Sequence, residues 1–262
     1  MTTSRILKAA KIVGQAGIVT TLLADPYTTS SVRQQLDTVE NKYGEDPGFK
    51  KFSHSDLTDS YPMLSGGVCL GAASVDSIDP KDKELIAEKQ MEYQNNLMAF
   101  DTPDSFAKKH PTLCGHSGFP SQTAVAATMA KELGNTGDLV NFQPGYRTND
   151  NTTEYVKNAV GQLQPEETAS LFIVSNSGPG TGHITRVNFK GESGKAADPN
   201  IGTYEGPADK VLQFHQELRE AYVEQPTFLG KYIFGGKPNG LFEVAVTKQT
   251  TTDSDKTPSM KP

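Results

Sequence analysis

Ala169 to Asn176 reads A-S-L-F-I-V-S-N, and His183 to Tyr204 reads H-I-T-R-V-N-F-K-G-E-S-G-K-A-A-D-P-N-I-G-T-Y, with S-G-P-G-T-G between them. The first run is short, apolar and rich in β-branched residues, which predicts a strand. In the second, His183, Thr185, Val187 and Phe189 recur with period two and share one face. Lys190 to Lys195 reads as a turn, and Ala196 to Tyr204 resumes the strand. Downstream, Val211, Leu212, Phe214, Leu218 and Tyr222 predict a helix over Pro207 to Tyr222. Two more strands follow, Lys231 to Phe234 and Leu241 to Thr247.

Upstream the periodicity is helical. Pro80 to Phe100 carries Leu85, Ile86, Tyr93, Leu97 and Phe100 on one stripe, with Pro80 suited to a first turn. A second helix spans Pro120 to Leu133, capped by Ser121 and ended by Gly134, and a third spans Thr153 to Leu163. Helices followed by a mainly antiparallel sheet predict an α+β fold. Residues 1–60 read as an N-terminal extension. Ile6 to Ala24 forms an amphipathic helix or an export segment there, and Val32 to Tyr43 a short helix in a polar, Pro-punctuated stretch. The compact domain is expected over 61–247, and the apolar-poor residues 248–262 read as a disordered tail.

Composition excludes several classes. The net charge is −6, so no broad cationic footprint for nucleic acid is expected. No run approaches the roughly 20 apolar residues of a membrane span, so no transmembrane segment is expected. Two cysteines in 262 residues make no disulfide framework.

Three motifs carry chemistry. In Gly66-Gly67-Val68-Cys69-Leu70-Gly71-Ala72-Ala73-Ser74 the glycines turn the backbone before a run of small, helix-compatible residues. Cys69 then stands at a helix start, where free N–H groups favour the thiolate and can hold an oxyanion. A small cysteine packed in a Gly/Ala-rich helix is the alternative. His183 begins a strand after the glycine-rich loop; a lone histidine is usually structural. Asp198-Pro199-Asn200-Ile201-Gly202 reads as a turn or strand end. If Lys190-Gly191 closes the intervening hairpin, His183 and Asp198 face each other directly across it, and a longer turn shifts that register. A carboxylate there would orient the imidazole and stabilise its cation. Nucleophile, base and orienter follow in the order Cys69, His183, Asp198.

Competing signals are weaker. His110, Cys114 and His116 lie close together, but a zinc site wants three or four ligands and no fourth is evident, so no metal is expected. Gly115-His116-Ser117-Gly118-Phe119 lacks the last glycine of a serine nucleophile turn. Ser177 to Gly182 lacks the Lys-Ser/Thr ending of a phosphate loop and leads into a strand. His54 and His215 have no catalytic context, and His215 is expected on a helix surface.

The three motifs resemble those of the YopT-type cysteine peptidases, a group of bacterial effectors and toxins within the papain-like superfamily. Gly67-Val68-Cys69-Leu70-Gly71-Ala72-Ala73 is similar to the family's G-x-C-x-G-[LA]-[SA]. Gly182-His183-Ile184 is similar to its histidine motif, and Asp198 to Tyr204 to its D-P-N-x-G-x-[FY]. The resemblance runs from about Gly66 to Val246. Two departures stand out: Val75 to Ile78 has no aromatic, and Tyr61 to Ser65 has no Gln or Asn to serve as oxyanion donor. Ser65 and the Gly67 backbone are then the expected oxyanion support. The resemblance implies a papain-like fold and a Cys69-His183-Asp198 triad that hydrolyses a host protein without a cofactor. It also implies secretion by a bacterium, action in host cytoplasm and a secretion chaperone as a further partner. Two alternatives stay open: a glutamine deamidase of the same superfamily, and a non-catalytic interaction module with an inactive triad.

Overall fold

A computed structural model describes residues 30–52, 68–75, 78, 82–98, 106–113, 121–142, 149–178, 181–223 and 241–250. In chain order these form α1 (Ser30–Tyr43), β1 (Phe49–Lys51), α2 (Cys69–Ser74), α3 (Lys83–Met98), α4 (Phe106–Lys109), α5 (Gln122–Glu132), β2 (Asp138–Phe142) and α6 (Asn149–Gly161). Then come β3 (Glu167–Gly178), β4 (Thr181–Lys190), β5 (Ser193–Asp198), β6 (Gly202–Pro207), α7 (Ala208–Val223) and β7 (Leu241–Thr250). The strands make one seven-stranded sheet in the order β1-β6-β5-β4-β3-β7-β2. Every described pairing is antiparallel. The protein is α+β, with five of its seven described strands after the switch in periodicity near Ala169. β1 and β2, the two edge strands, lie upstream of it, where the sequence predicts no strand.

Period two along the strands divides the core between the two faces. Leu171, Ile173, Val187, Phe189, Ala196 and Val244 pack with residues of α1, α6 and α7 on one face. Phe172, Ile184 and Ala245 pack on the other with Leu70 and Ala73 of α2 and the alanine-rich face of α5. Helix α3 lies against α2, with Ile86 and Ala87 in a cluster that also holds Val68, Ala72 and Ala197. Ser121 caps α5 by accepting the Ala124 N–H at 3.3 Å.

Several sequence expectations shift. Ala196 to Tyr204 is not one strand, because the chain turns at Pro199 to Ile201 between β5 and β6. Proline has no N–H to give a ladder, and the Asp198 side chain accepts the Asn200 N–H at 2.8 Å to close the turn. β7 runs to Thr250, three residues past its expected end, paired with Glu167. Residues 30–52, within the expected extension, supply α1 to the core and β1 to the sheet edge, where Phe49 pairs with Tyr204. The expected helix over Ile6 to Ala24 and strand over Lys231 to Phe234 lie outside the described residues.

Candidate active site

Cys69 is the first residue of α2 and half-buried. Six residues are too few for a helix to hold itself, so its placement comes from neighbours. At its start the Gly71 N–H donates to Gln90 Oε1 of α3 at 2.9 Å, satisfying one of the amides that a helix N-terminus leaves open. A Cβ on Gly71 would sit 2.3 Å from the Ile86 carbonyl oxygen, so only glycine lets α2 and α3 approach this closely. At the other end Asn135 Nδ2 donates to the Ser74 carbonyl at 3.1 Å, and Arg186 Nη1 to the Val75 carbonyl at 3.0 Å. Arg186 comes from the middle of β4 and is 2 % exposed. Its cation faces the negative end of α2, lies 5.2 Å from the Phe172 ring centroid, and donates through Nε to Asn188 Oδ1 at 2.9 Å. The nucleophile candidate is thus clamped by an amide at one end and a guanidinium at the other.

His183, near the start of β4, and Asp198, the last residue of β5, are both fully buried. His183 Nε2 and Asp198 Oδ2 are 2.7 Å apart. Their register differs from the direct facing expected. The hairpin closes at Gly191-Glu192, so Lys190 pairs with Ser193 and Arg186 with Ala197. Gly191, at φ +55°, takes the first central position that this two-residue turn reserves for glycine. Extending the ladder sets Asp198 opposite Thr185 and makes His183 its diagonal neighbour on the same face, still within side-chain reach.

Burial by itself pushes the His183 ring toward its neutral form. The Asp198 carboxylate outweighs it, by its charge and by accepting the ring's hydrogen bond, and interaction with Cys69 adds in the same direction. The net result holds His183 well above the ordinary histidine value. With Nε2 engaged by Asp198, Nδ1 is the nitrogen available to the Cys69 sulfur. Asp198 Oδ1 accepts the Asn200 N–H at 2.8 Å, and the Tyr222 hydroxyl lies 3.1 Å from Oδ1 and 3.0 Å from Oδ2.

Cys69, His183 and Asp198 therefore come together from α2, β4 and β5. Ser65 and Gly67, the expected oxyanion support, lie outside the described residues, as do His54, Cys114 and His116. His215 is not on a helix surface. It is 1 % exposed, on the sheet-facing side of α7, with Nε2 3.1 Å from Thr185 Oγ1. Burial first and the Arg219 cation second push it well below the ordinary histidine value. The missed supporting residues are Gln90, Arg186 and Tyr222. Arg186 alone carries a sequence signal, a charge at the centre of an apolar strand; Gln90 and Tyr222 sit unremarkably in helical stripes. Among the described residues no group of three or more His, Cys, Asp or Glu side chains could hold a metal ion, and no helix is long and apolar enough to cross a membrane.

No family model and no curated protein matches the chain in sequence. Among solved structures the chain is similar to the crystal structure of the Pseudomonas avirulence protein AvrPphB, at 13% identity and a TM-score of 0.44. That match covers 73% of this chain and 94% of the other.

Proposed function

We propose that the chain is a cysteine hydrolase of papain-like organisation that cleaves a peptide bond in a host protein. The carrying observation is the buried 2.7 Å contact between His183 Nε2 and Asp198, with Cys69 acting on the same imidazole from a helix start. The attacking form of Cys69 is the thiolate, and the His183 imidazolium, stabilised by Asp198, is placed to be its counter-ion. Cys69 Sγ adds to the substrate carbonyl, and N–H groups at the start of α2 are suited to receive the oxyanion. His183 gives its proton to the departing amine, leaving a thioester on Cys69. The neutral imidazole then takes a proton from water, which attacks the thioester, and returns it as the thiol is released. Asp198 holds the ring through both halves. Ser65 and the Gly67 backbone are proposed as further oxyanion support. The motif resemblance extends the proposal to secretion by a bacterium, action in host cytoplasm and a secretion chaperone.

The test compares the protein with its Cys69→Ala form in host cell lysate by mass spectrometry. New protein termini only with the intact chain support the peptidase, whereas a gain of about one dalton at Gln would indicate a deamidase using the same thioester chemistry. Neither change would leave an interaction module. Cys69→Ala and His183→Ala are each expected to abolish turnover, Asp198→Ala to remove most of it, and double variants to be no worse than the worst single. An inactive Cys114→Ala beside an active Cys69→Ala would reassign the nucleophile.

A further inference from the structure

Tyr222, in the last turn of α7, is 3 % exposed and touches both partners of the His183–Asp198 pair. Its ring lies against the imidazole, with centroids 4.4 Å apart and planes 30° from parallel. Its oxygen lies about equally far from the two Asp198 carboxylate oxygens, at 3.1 and 3.0 Å. The direction of these bonds is set from outside. Asn200 Nδ2, 2.9 Å from the Tyr222 oxygen, carries only hydrogens to offer. The Tyr222 oxygen therefore accepts from Asn200 and sends its own proton to Asp198. Asp198, receiving the Tyr222 O–H and the Asn200 main-chain N–H, acts as acceptor toward His183, which keeps a proton on Nε2 and turns Nδ1 to Cys69.

We infer that Tyr222 is a positioning residue for the general base, its ring fixing the plane of His183 and its hydroxyl fixing the Asp198 carboxylate. The inference rests on the triad reading above and deepens it. Stacking restrains rotation of the imidazole about its Cβ–Cγ bond, the motion that would swing Nδ1 away from Cys69. The hydroxyl holds the carboxylate edge toward Nε2; without it a buried carboxylate is a donor short and turns to find another. Two other titratable groups of α7 face the same side of the sheet. His215 is held neutral against Thr185, and Arg219 donates to Thr153 Oγ1 and lies over the Phe242 ring.

Alkylation of Cys69 by iodoacetamide at pH 6 and pH 9, read by peptide mapping, tests this without a substrate. At pH 6 an ordinary thiol is almost fully protonated, so fast labelling reports the imidazolium beside Cys69. Tyr222→Phe keeps the ring and loses the hydroxyl, and is expected to label Cys69 about tenfold more slowly at pH 6. Tyr222→Leu loses both and should fall to the rate of His183→Ala. At pH 9, where thiols ionise unaided, the variants should converge on wild type. Wild-type labelling of Tyr222→Phe and Tyr222→Leu at pH 6, with His183→Ala slow, would overturn the role of Tyr222 and leave the triad standing. An equal loss at both pH values would make Tyr222 merely structural. If His183→Ala also labelled at the wild-type rate, the triad reading itself would fall. Should Tyr222→Leu fail to fold, Tyr222→Phe decides.

Discussion

His183 and His215 are both buried beside the same face of the sheet, and both lose hydration by being there, yet they shift in opposite directions. His183 has a carboxylate within 2.7 Å, whereas His215 has a hydroxyl at 3.1 Å and a guanidinium nearby. The stability consequences are opposite as well. His183 binds its proton more tightly folded than unfolded, so its contribution is complete below about pH 6.5 and is lost as pH rises through its folded value. His215 stays neutral in the fold while the unfolded chain takes up a proton near pH 6.5, so stability falls as pH drops below that point. His215→Gln retains a polar partner for Thr185 and removes the titration. Urea melts between pH 7 and pH 5 should show a flatter loss of stability in this variant, by up to about 1.4 kcal/mol per pH unit. Parallel slopes would mean that His215 does not stay neutral in the fold.

At the scale of elements, α2 is positioned from both ends and packed through glycine on one flank. Its six residues bring Cys69 to the site because α3 and β4 hold it there. Gly71→Ala places a methyl 2.3 Å from the Ile86 carbonyl, a backbone atom that cannot swing aside. Overpacking of this kind costs about 1–3 kcal/mol. The variant should melt lower and, even while folded, label Cys69 more slowly at pH 6, because α2 must move away from α3. A variant that melts lower but labels at the wild-type rate would show that the close approach serves packing alone. The types of the longer elements were legible from periodicity, and the start of α5 from Ser121, but the short β1, β2 and α4 lie in stretches where periodicity pointed to no such element. The hairpin register was not. Lys190-Gly191 and Gly191-Glu192 are both plausible two-residue loops in sequence, and the choice depends on which residue takes the positive φ.

At the scale of the whole molecule, the described residues form a sheet between two helical layers, with β4, the strand of His183 and Arg186, at its centre. Helix α1 belongs to this assembly: Leu36, Val39 and Tyr43 are buried, and the Tyr43 ring meets those of Tyr204 and Phe214 at 5.2 and 4.9 Å. Phe52, just after β1, is 2 % exposed. Burying one large apolar side chain contributes about 1.5–3 kcal/mol, so four of them approach the roughly 5–15 kcal/mol that holds a whole domain. A chain beginning at residue 53 is therefore expected to lose its cooperative thermal transition. A wild-type-like melt would instead support an independent domain starting at residue 61.

Hydrophobic periodicity needs only neighbours in the chain, and so the α+β class, the longer helices and the strand-rich stretch from β3 onward were readable from the sequence, whereas the short β1 and β2 were not. Motifs alone made Cys69, His183 and Asp198 candidates. The Asp-Pro-Asn stretch even announced the turn that ends β5. What the tertiary structure decided are matters of approach between distant segments. These are the diagonal rather than direct meeting of His183 and Asp198, the burial of His215, and the clamps on α2 by Gln90 and Arg186. The placement of Tyr222 over the imidazole belongs with them. Such contacts join residues 15 to 111 positions apart, and each depends on how strands and helices seat on a sheet whose register is set elsewhere. A glutamine in a helical stripe looks the same in sequence whether it faces water or the open amide of another helix.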